Sequence, residues 1–210
     1  MTNILVFGDS ITYGAWDKEG GWVQRLRRII DQKNLTDSDF YCLISNLGIP
    51  GDTSEDLLRR FESETKERVK EDEETVIIFS VGSNDSQFVY GKNKIQKQEF
   101  QENLQKLIGL AGKFSSKIIF IGLFPVDDSK TMPIPWDAAK SYKNEYIKQY
   151  NEIIKSVCKK NKIHFIEIFE NFIKLNYQQL LEDGLHPNSE GHEKIFHVVK
   201  DFLIEKEITK

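Results

Sequence analysis

Short apolar runs alternate along the chain with segments in which apolar residues recur every three or four positions. The runs are typical of β-strands, and they predict strands at Ile4–Phe7, Phe40–Ser45, Thr75–Val81, Lys117–Gly122 and Ile163–Ile168. Several runs are continuously apolar rather than alternating, which is the pattern of strands that helices cover on both faces. The pattern therefore predicts a buried parallel sheet of five strands.

The segments between the runs predict amphipathic helices, each with one buried stripe of apolar residues. These stripes begin at Val23, Leu57, Phe100, Tyr142 and Ile195. Strand and helix alternate along the whole chain, which predicts a doubly wound α/β sandwich with right-handed crossovers. No repeat, linker or change of composition divides the sequence, so we expect one domain over residues 1–210. Such sheets bind ligands at the carboxyl ends of their strands.

Composition and charge narrow the class of partner. The chain has 29 Lys and Arg against 33 Asp and Glu, a formal charge of −4, so neither nucleic acid nor anionic lipid is the expected partner. Cys42 and Cys158 lie in apolar or helical patterns, and we expect buried, reduced thiols. The apolar runs are far shorter than the ~20 residues of a membrane helix, and the N-terminus lacks a signal-peptide pattern. We therefore expect a cytoplasmic protein without stable membrane insertion.

The first predicted strand leads into a short segment, residues 8–14, with a serine in a tight turn. Ser10 would lie there at a helix N-terminus, which favours developing negative charge. A serine that only caps the turn is the alternative, and for the segment alone it is the favoured one. The spacing differs from the Gly-x-Ser-x-Gly elbow of α/β-hydrolases, because Gly14 follows Ser10 by four residues.

The second and third predicted strands lead to neutral hydrogen-bond donors. Gly48, in the segment 46–51, lets its backbone N–H approach a ligand closely. Asn84, in the segment 82–85, offers an uncharged side-chain amide that suits an oxyanion hole. An ordinary turn is the alternative for both segments; alone, it is favoured for Gly48 and equally good for Asn84.

A carboxylate and a histidine stand three residues apart near the C-terminus. Asp183 can hold the Nδ1–H of His186 and leave Nε2 free to take a proton from a nucleophile. A solvated loop histidine is the alternative, and it is our interpretation of His164, His192 and His197. The spacing of His, Cys and carboxylate residues predicts no metal site.

Taken together, these segments resemble the four ordered blocks of the SGNH hydrolases, also called GDSL esterases or lipases. The blocks read Gly8-Asp9-Ser10-Ile11-Thr12, Asn46-Leu47-Gly48, Gly82-Ser83-Asn84-Asp85 and Asp183-Gly184-Leu185-His186-Pro187. They extend over nearly the whole chain. One departure is Ile11, where the short name of the family has leucine, an exchange of one apolar side chain for another.

The resemblance implies a flavodoxin-like three-layer α/β/α sandwich and serine-dependent hydrolysis of esters or thioesters. It implies that Ser10 is the nucleophile, that His186 is the general base and acid, and that Asp183 orients His186. The oxyanion hole implied by the resemblance consists of the N–H groups of Ser10 and Gly48 and the side-chain amide of Asn84. No metal or organic cofactor is implied.

The substrate is less sharply defined by the sequence. Our candidates for a substrate pocket are the loop aromatics Tyr13, Phe88, Tyr90 and Trp136; Trp16 lies in the same loops. For each ring, packing against the body of the protein is an equally good alternative. We expect a small ester with a short to medium acyl chain, with carbohydrate O-acetyl esters, lysophospholipids or thioesters as alternatives. A catalytically silent binding module and a metal-dependent phosphoesterase are the hypotheses outside this class.

Overall fold

Two β-sheets organise the structure, a computed structural model that describes residues 1–209. The strands are β1 (Thr2–Gly8), β2 (Cys42–Gly48), β3 (Glu74–Ser80), β4 (Phe88–Val89), β5 (Lys92–Asn93), β6 (Lys117–Ile121), β7 (Lys140–Ser141) and β8 (His164–Ile166). The larger sheet has the spatial order β2-β1-β3-β6-β8, and all of its neighbouring strands are parallel. The five-stranded parallel sheet predicted from the sequence is therefore confirmed.

The strand boundaries differ from the expected ones where apolar residues continue past the hydrogen-bonded ladder. The second strand runs from Cys42 to Gly48, two residues later than expected at its start, and β8 ends at Ile166 although Ile168 is also buried. Gly8 pairs with Gly48 on one side and with Ser80 on the other, so the last residues of β1, β2 and β3 lie side by side. The loops that follow these three strands consequently meet at one edge of the sheet.

Helices cover both faces of this sheet. They are α1 (Ser10–Tyr13), α2 (Gly21–Thr36), α3 (Ser54–Lys66), α4 (Ser83–Ser86), α5 (Lys97–Ala111), α6 (Asp128–Thr131), α7 (Asn144–Asn161), α8 (Phe169–Phe172), a 3₁₀ helix (Tyr177–Leu180) and α9 (Ser189–Glu205). Leu5 and Phe7 of β1 pack in one core with α3, α5 and α7, and Ile4 and Val6 pack in the other core with α2 and α9. The three-layer α/β/α sandwich is thus confirmed.

The sequence analysis does not predict the smaller sheet. Its strands are antiparallel in the order β5-β4-β7, and each is two residues long. The turn between β4 and β5 consists of Tyr90 and Gly91, with φ angles of 50° and 83°. Two successive residues with positive φ are typical of the tight turn that joins two twisted antiparallel strands.

The two cysteines have the state that the sequence predicts. Cys42 and Cys158 are free and buried, and burial raises the pKa of each thiol to about 12. Among residues 1–209, no helix has the length and apolar character that crossing a membrane requires.

His192 of α9 departs from the solvated state expected from the sequence, because its side chain is fully buried. Burial lowers the pKa of the imidazole to about 4. The negative charge of Asp17 opposes this shift, and the positive charge of Arg25 adds to it. The folded protein therefore keeps His192 neutral in mildly acidic solution.

The buried His192 is expected to make the fold sensitive to acid. Between pH 6.5 and about 4 the unfolded chain binds a proton at this residue that the folded chain does not, so stability falls as the pH falls. This difference corresponds to about 3 kcal/mol in the free energy of unfolding. Urea unfolding at pH 6.5 and 4 should therefore show a loss about 3 kcal/mol larger for the wild type than for H192Q.

The matched control for this experiment is His197, which lies on the same helix with its side chain half exposed. H197Q should lose as much stability on acidification as the wild type. An H192Q protein with the same loss as the other two would contradict the expected contribution of His192.

Candidate active site

Ser10 lies directly after β1, as the first residue of the short helix α1. Asp9 caps this helix, because its carboxylate accepts a hydrogen bond of 2.9 Å from the Ile11 N–H. A Cβ atom at Gly8 would stand only 2.1 Å from the hydroxyl oxygen of Thr12, so the close turn requires glycine. The local sequence thereby holds Ser10 at the edge of the sheet where β1, β2 and β3 end.

The side chains of His186 and Asp183 complete a chain of hydrogen bonds with Ser10. His186 Nε2 lies 3.0 Å from Ser10 Oγ, and His186 Nδ1 lies 2.7 Å from Asp183 Oδ2. The other carboxylate oxygen, Oδ1, accepts the N–H groups of Leu185 and His186 at 2.9 and 2.8 Å. Because Asp183 fixes Nδ1 as the protonated ring nitrogen, Nε2 is left as the nitrogen that accepts from the serine.

The carboxyl group of Asp183 stays ionised well into the acidic range. Partial burial alone would raise its pKa. The hydrogen bonds from the His186 ring and from the two backbone N–H groups outweigh this effect and lower the pKa of Asp183 to about 2. The histidine therefore has a negatively charged neighbour at any pH well above 2.

Two tryptophans flank the histidine. The indole Nε1 of Trp16 lies 3.1 Å from Asp183 Oδ2 and 3.0 Å from His186 Nδ1. Since Nδ1 donates its own hydrogen to Asp183, the indole N–H donates to the same carboxylate oxygen. The ring of Trp136 stacks on the imidazole, with its centroid 6.4 Å from that of His186. The contact between Trp16 and Asp183 is not anticipated by the sequence analysis, because it joins residues 167 positions apart.

Asn84 lies in α4, beyond the end of β3, and its amide orientation is determined by two neighbours. The amide Nδ2 donates to the backbone oxygen of Asp52 at 3.0 Å, and Oδ1 accepts the hydroxyl of Tyr142 at 2.9 Å. These contacts use one of the two Nδ2 hydrogens. The second hydrogen is left for a ligand in the cavity that Asn84 and Ser10 both line.

Gly48 has a different position from the one that the predicted oxyanion role requires. Its N–H donates to the side chain of Asn46 at 3.0 Å, and it does not line the cavity with Ser10. Gly51, three residues later, does line that cavity, and its φ of +89° is a glycine conformation. No group among residues 1–209 accepts a hydrogen bond from the Gly51 N–H. The structure therefore favours Gly51 over Gly48 as the backbone donor.

The cavity next to Ser10 has a volume of about 900 Å³. Its lining includes Tyr13 and Trp136, as the sequence analysis expects. Phe88 is not part of the lining, because its ring stacks on Tyr146 with the centroids 5.6 Å apart. Tyr90 lines an adjoining groove instead and is 87% exposed. Of the four predicted pocket residues, two line the cavity itself.

Two buried carboxylates stand beside the site without facing its cavity. Burial raises the pKa of Asp9 to about 6 and that of Asp85 to about 7. Asp85 accepts the backbone N–H of Ser54 at 3.0 and 3.1 Å as well as the Ser54 hydroxyl. Asp85 thus ties α4 to the start of α3, and Asp9 caps α1, so both hold the loops of the site in place.

Residues 1–209 hold no group of three or more His, Cys, Asp or Glu side chains arranged to bind a metal ion. The polar groups around Ser10 are instead a base, a carboxylate and neutral N–H donors. This set can activate a hydroxyl group and stabilise an oxyanion without a metal ligand among its members.

Comparison with known sequences identifies the family of the chain. A model of the GDSL-like Lipase/Acylhydrolase family matches residues 6–194. The isoamyl acetate-hydrolyzing esterase of Saccharomyces cerevisiae is 27% identical over 92% of this chain and 82% of its own. The uncharacterized lipoprotein YqeF of Bacillus subtilis is 26% identical over 90% of this chain and 82% of its own. Because one relative is named a lipoprotein, the cytoplasmic location expected from the sequence stays a prediction.

Solved structures show the same fold. A lipase/acylhydrolase from Enterococcus faecalis superposes with a TM-score of 0.74, covers 98% of this chain and 97% of its own, and is 24% identical. The match of the family model confirms, at the level of the family, the resemblance stated from the four sequence blocks. The chain belongs to the GDSL-like lipase/acylhydrolase family and is a carboxylic ester hydrolase.

Proposed function

We propose that the protein hydrolyses small carboxylic esters with short to medium acyl chains, using Ser10 as the nucleophile. The observation that carries this proposal is the continuous chain of contacts from Ser10 Oγ to His186 Nε2 at 3.0 Å and from His186 Nδ1 to Asp183 Oδ2 at 2.7 Å. A serine within reach of a base that a carboxylate orients is the arrangement needed for acyl transfer.

In the first half of the reaction, His186 Nε2 removes the hydroxyl proton while Ser10 Oγ attacks the ester carbonyl carbon. The carbonyl oxygen becomes an oxyanion, which accepts hydrogen bonds from the Asn84 amide and from the N–H groups of Gly51 and Ser10. The ionised Asp183 stabilises the imidazolium that forms. The carbon–oxygen bond to the alcohol then breaks, and His186 gives its proton to the departing oxygen.

In the second half, the acyl group is bound to Ser10 Oγ and the neutral His186 is free again as a base. It takes a proton from a water molecule that attacks the acyl carbonyl, and the same donors hold the second oxyanion. The bond to Ser10 Oγ breaks, and the proton returns to that oxygen. The products are a carboxylic acid and an alcohol.

The choice of a short to medium acyl chain is supported by the shape of the site and by one relative. The cavity of about 900 Å³ is within the ordinary range for small-molecule sites, and its wall combines apolar residues such as Ile134 and Leu185 with polar groups. The yeast relative is named for hydrolysing isoamyl acetate, an ester with a two-carbon acyl group.

A carbohydrate O-acetyl ester is the second candidate substrate, favoured by the two tryptophans beside His186. Trp16 is 67% exposed and Trp136 is 57% exposed, although large apolar side chains are usually buried. A cleft of about 520 Å³ lies between them, next to Asp183. Exposed aromatic rings at the mouth of a site offer flat surfaces on which a sugar ring can stack.

The test combines covalent labelling with a series of substrates. A fluorophosphonate should modify Ser10, and the protein should hydrolyse p-nitrophenyl esters from acetyl to dodecanoyl in the presence of EDTA, fastest at the short end. Peptide mass spectrometry locates the label, and prior labelling should abolish hydrolysis in proportion to the modified fraction. Acetylated xylo-oligosaccharides in parallel distinguish the second substrate class.

The outcomes separate the competing functions. A label on another residue, or full activity after complete labelling of Ser10, would contradict the assignment of the nucleophile. Neither label nor hydrolysis of any ester would favour the silent binding module. Activity that EDTA removes would favour a metal-dependent phosphoesterase or esterase.

A further inference from the structure

The smaller sheet presents a row of lysines beside the cavity. Lys92 of β5 and Lys140 of β7 both pair directly with Val89 of β4, one on each side. Directly paired residues project from the same face of a sheet, so the two ammonium groups share a face. The ladder continues where the Lys94 N–H donates to the backbone oxygen of Gln87 at 2.8 Å. Lys94 is two residues from Lys92 and projects from that face as well.

This face lines a groove of about 320 Å³ that opens into the cavity next to Ser10. Its lining residues are Gln87, Val89, Tyr90, Lys92, Asn93, Lys94 and Lys140. Three of these residues, Gln87, Lys94 and Lys140, also line the main cavity. We call this space the lysine groove. A molecule bound at Ser10 can therefore extend into the lysine groove and stay in contact with the protein along its whole length.

The charge of the lysine groove is only partly balanced by the protein. Lys140 contacts Asp137 at 2.8 Å. The Lys94 ammonium reaches the backbone oxygen of Gly51 at 3.5 Å, a long contact. The Lys92 ammonium group has no hydrogen-bond or ion-pair partner among the described residues 1–209. Lys92 and Lys140 stand on the two outer strands of this sheet with β4 between them, so an anion placed over Val89 would be attracted by both ammonium groups.

No carboxylate among the described residues lines the lysine groove. The main cavity is lined by one, Asp17, which forms an ion pair with Arg25. The lining of the main cavity also includes Lys18, for which no ion pair with residues 1–209 is present. The chain as a whole has a formal charge of −4, so this positive surface is a local exception. A positive patch in a concave site raises the affinity for an anion.

We propose that the natural ester carries a negatively charged group, a carboxylate or a phosphate, and that the lysine groove binds this group while the ester carbonyl lies at Ser10. The inference rests on the proposed function and narrows its substrate class. Short contacts connect the two ends of the site: Gln87 Nε2 donates to the Tyr142 hydroxyl at 2.7 Å, and that hydroxyl donates to Asn84 Oδ1 at 2.9 Å. Gln87, which lines the lysine groove, is thus only two hydrogen bonds away from the amide of Asn84. One small molecule can therefore reach from the lysines to the oxyanion donors.

The experiment compares anionic esters with neutral counterparts in which a methyl ester masks the carboxylate. One pair places the charge on the alcohol side: 4-acetoxybenzoate and its methyl ester. A second pair places it on the acyl side: mono-4-nitrophenyl suberate and its methyl ester. A further substrate, 4-acetoxyphenyl phosphate, tests phosphate in place of carboxylate. The value of kcat/KM is measured for each ester at low salt and at 0.5 M NaCl.

We expect the anionic member of at least one pair to be preferred about tenfold at low salt, which is the effect of two partly exposed ion pairs. The preference should shrink in 0.5 M NaCl, because salt screens exposed charges. The double variant Lys92→Gln/Lys94→Gln should lose the preference. The matched control is Lys106→Gln, an exposed lysine of α5 away from the site, which should keep it.

Three outcomes overturn the proposal. The inference is contradicted if kcat/KM is equal within both pairs while the neutral esters are hydrolysed in a reaction that requires Ser10. That result would leave the proposed function intact. A preference that survives both the double variant and the triple variant with Lys140→Gln added would show that another surface binds the anion. Failure to hydrolyse any of the esters would contradict the proposed function, and the inference would fail with it.

Discussion

Replacement of Ser10 by alanine is expected to lower kcat/KM for a neutral ester such as p-nitrophenyl acetate by at least about 10⁴-fold. The reason is that Oγ is the atom that forms the acyl bond, and no other hydroxyl lies within hydrogen-bond distance of His186 Nε2 among the described residues. The hydroxyl makes a single hydrogen bond to the histidine and is small, so the fold should be unaffected. Steady-state kinetics and thermal unfolding measure the two effects separately.

Two further variants sharpen this prediction. His186→Ala should be about as inactive as Ser10→Ala, and the double variant should be no worse than either, because members of one hydrogen-bonded catalytic set act as a unit. Ser129→Ala, at an exposed serine of α6, is the matched control and should keep full activity. Additive losses in the double variant would show that the two residues act independently, against the proposed mechanism.

Removal of the Asn84 amide, in the variant Asn84→Ala, is expected to lower kcat by about 10²–10³-fold with little change in KM. The ground-state ester makes weaker use of the donor than the tetrahedral oxyanion does, so the loss falls mainly on the chemical step. Asn84 also binds the Asp52 backbone and the Tyr142 hydroxyl, so stability must be measured beside activity.

The control for this second prediction is Asn171→Ala, at an exposed asparagine whose Nδ2 also donates to a backbone oxygen. It should retain the wild-type kcat. A folded Asn84→Ala protein with near-normal kcat would remove Asn84 from the oxyanion hole. A rise in KM at constant kcat would reassign it to substrate binding.

The larger sheet was predictable because its strands are buried on both faces. Ile4 to Phe7 are all fully buried, and continuous burial is what produces a continuous apolar run. The end of β8 was not predictable, since Ile168 is buried as the residue that precedes α8 rather than as a strand residue. The smaller sheet escaped prediction because two-residue strands are too short to show a period. The one local signal for it is Gly91, in the tight turn between β4 and β5.

The candidate site was partly predictable from the rule that ligands lie at the carboxyl ends of strands. Ser10 and Asn84 follow strands that end at Gly8 and Ser80, so that rule finds both. It led to Gly48 because the predicted second strand ends at Ser45 and Gly48 follows it. In the structure β2 extends to Gly48, and the glycine that lines the cavity, Gly51, comes three residues later. A signal was present in the sequence: Pro50 followed by Gly51 is the pair typical of a turn whose second central residue has a positive φ, as Gly51 has.

The side-chain contacts of the site were beyond the reach of pattern reasoning. The partnership of Trp16 with Asp183 and the displacement of Phe88 onto Tyr146 depend on how distant loops fold against each other. Neither contact produces a periodic pattern or a fixed spacing of residues in the sequence. The lysine groove is of the same kind, because its charges come from two segments about 50 residues apart that β4 brings into register.

The Tyr142 hydroxyl bears on which end of the Asn84 amide reaches the substrate. An amide group is nearly symmetric in shape, so a half-turn about its last torsion exchanges oxygen for nitrogen without changing the space it fills. At Asn84 that half-turn would set the amide oxygen against the Asp52 backbone oxygen, two acceptors facing each other, and would remove the acceptor of the phenol hydrogen. The polarity of the amide is therefore preorganised before an ester arrives, and no dipole has to reorient as the oxyanion forms.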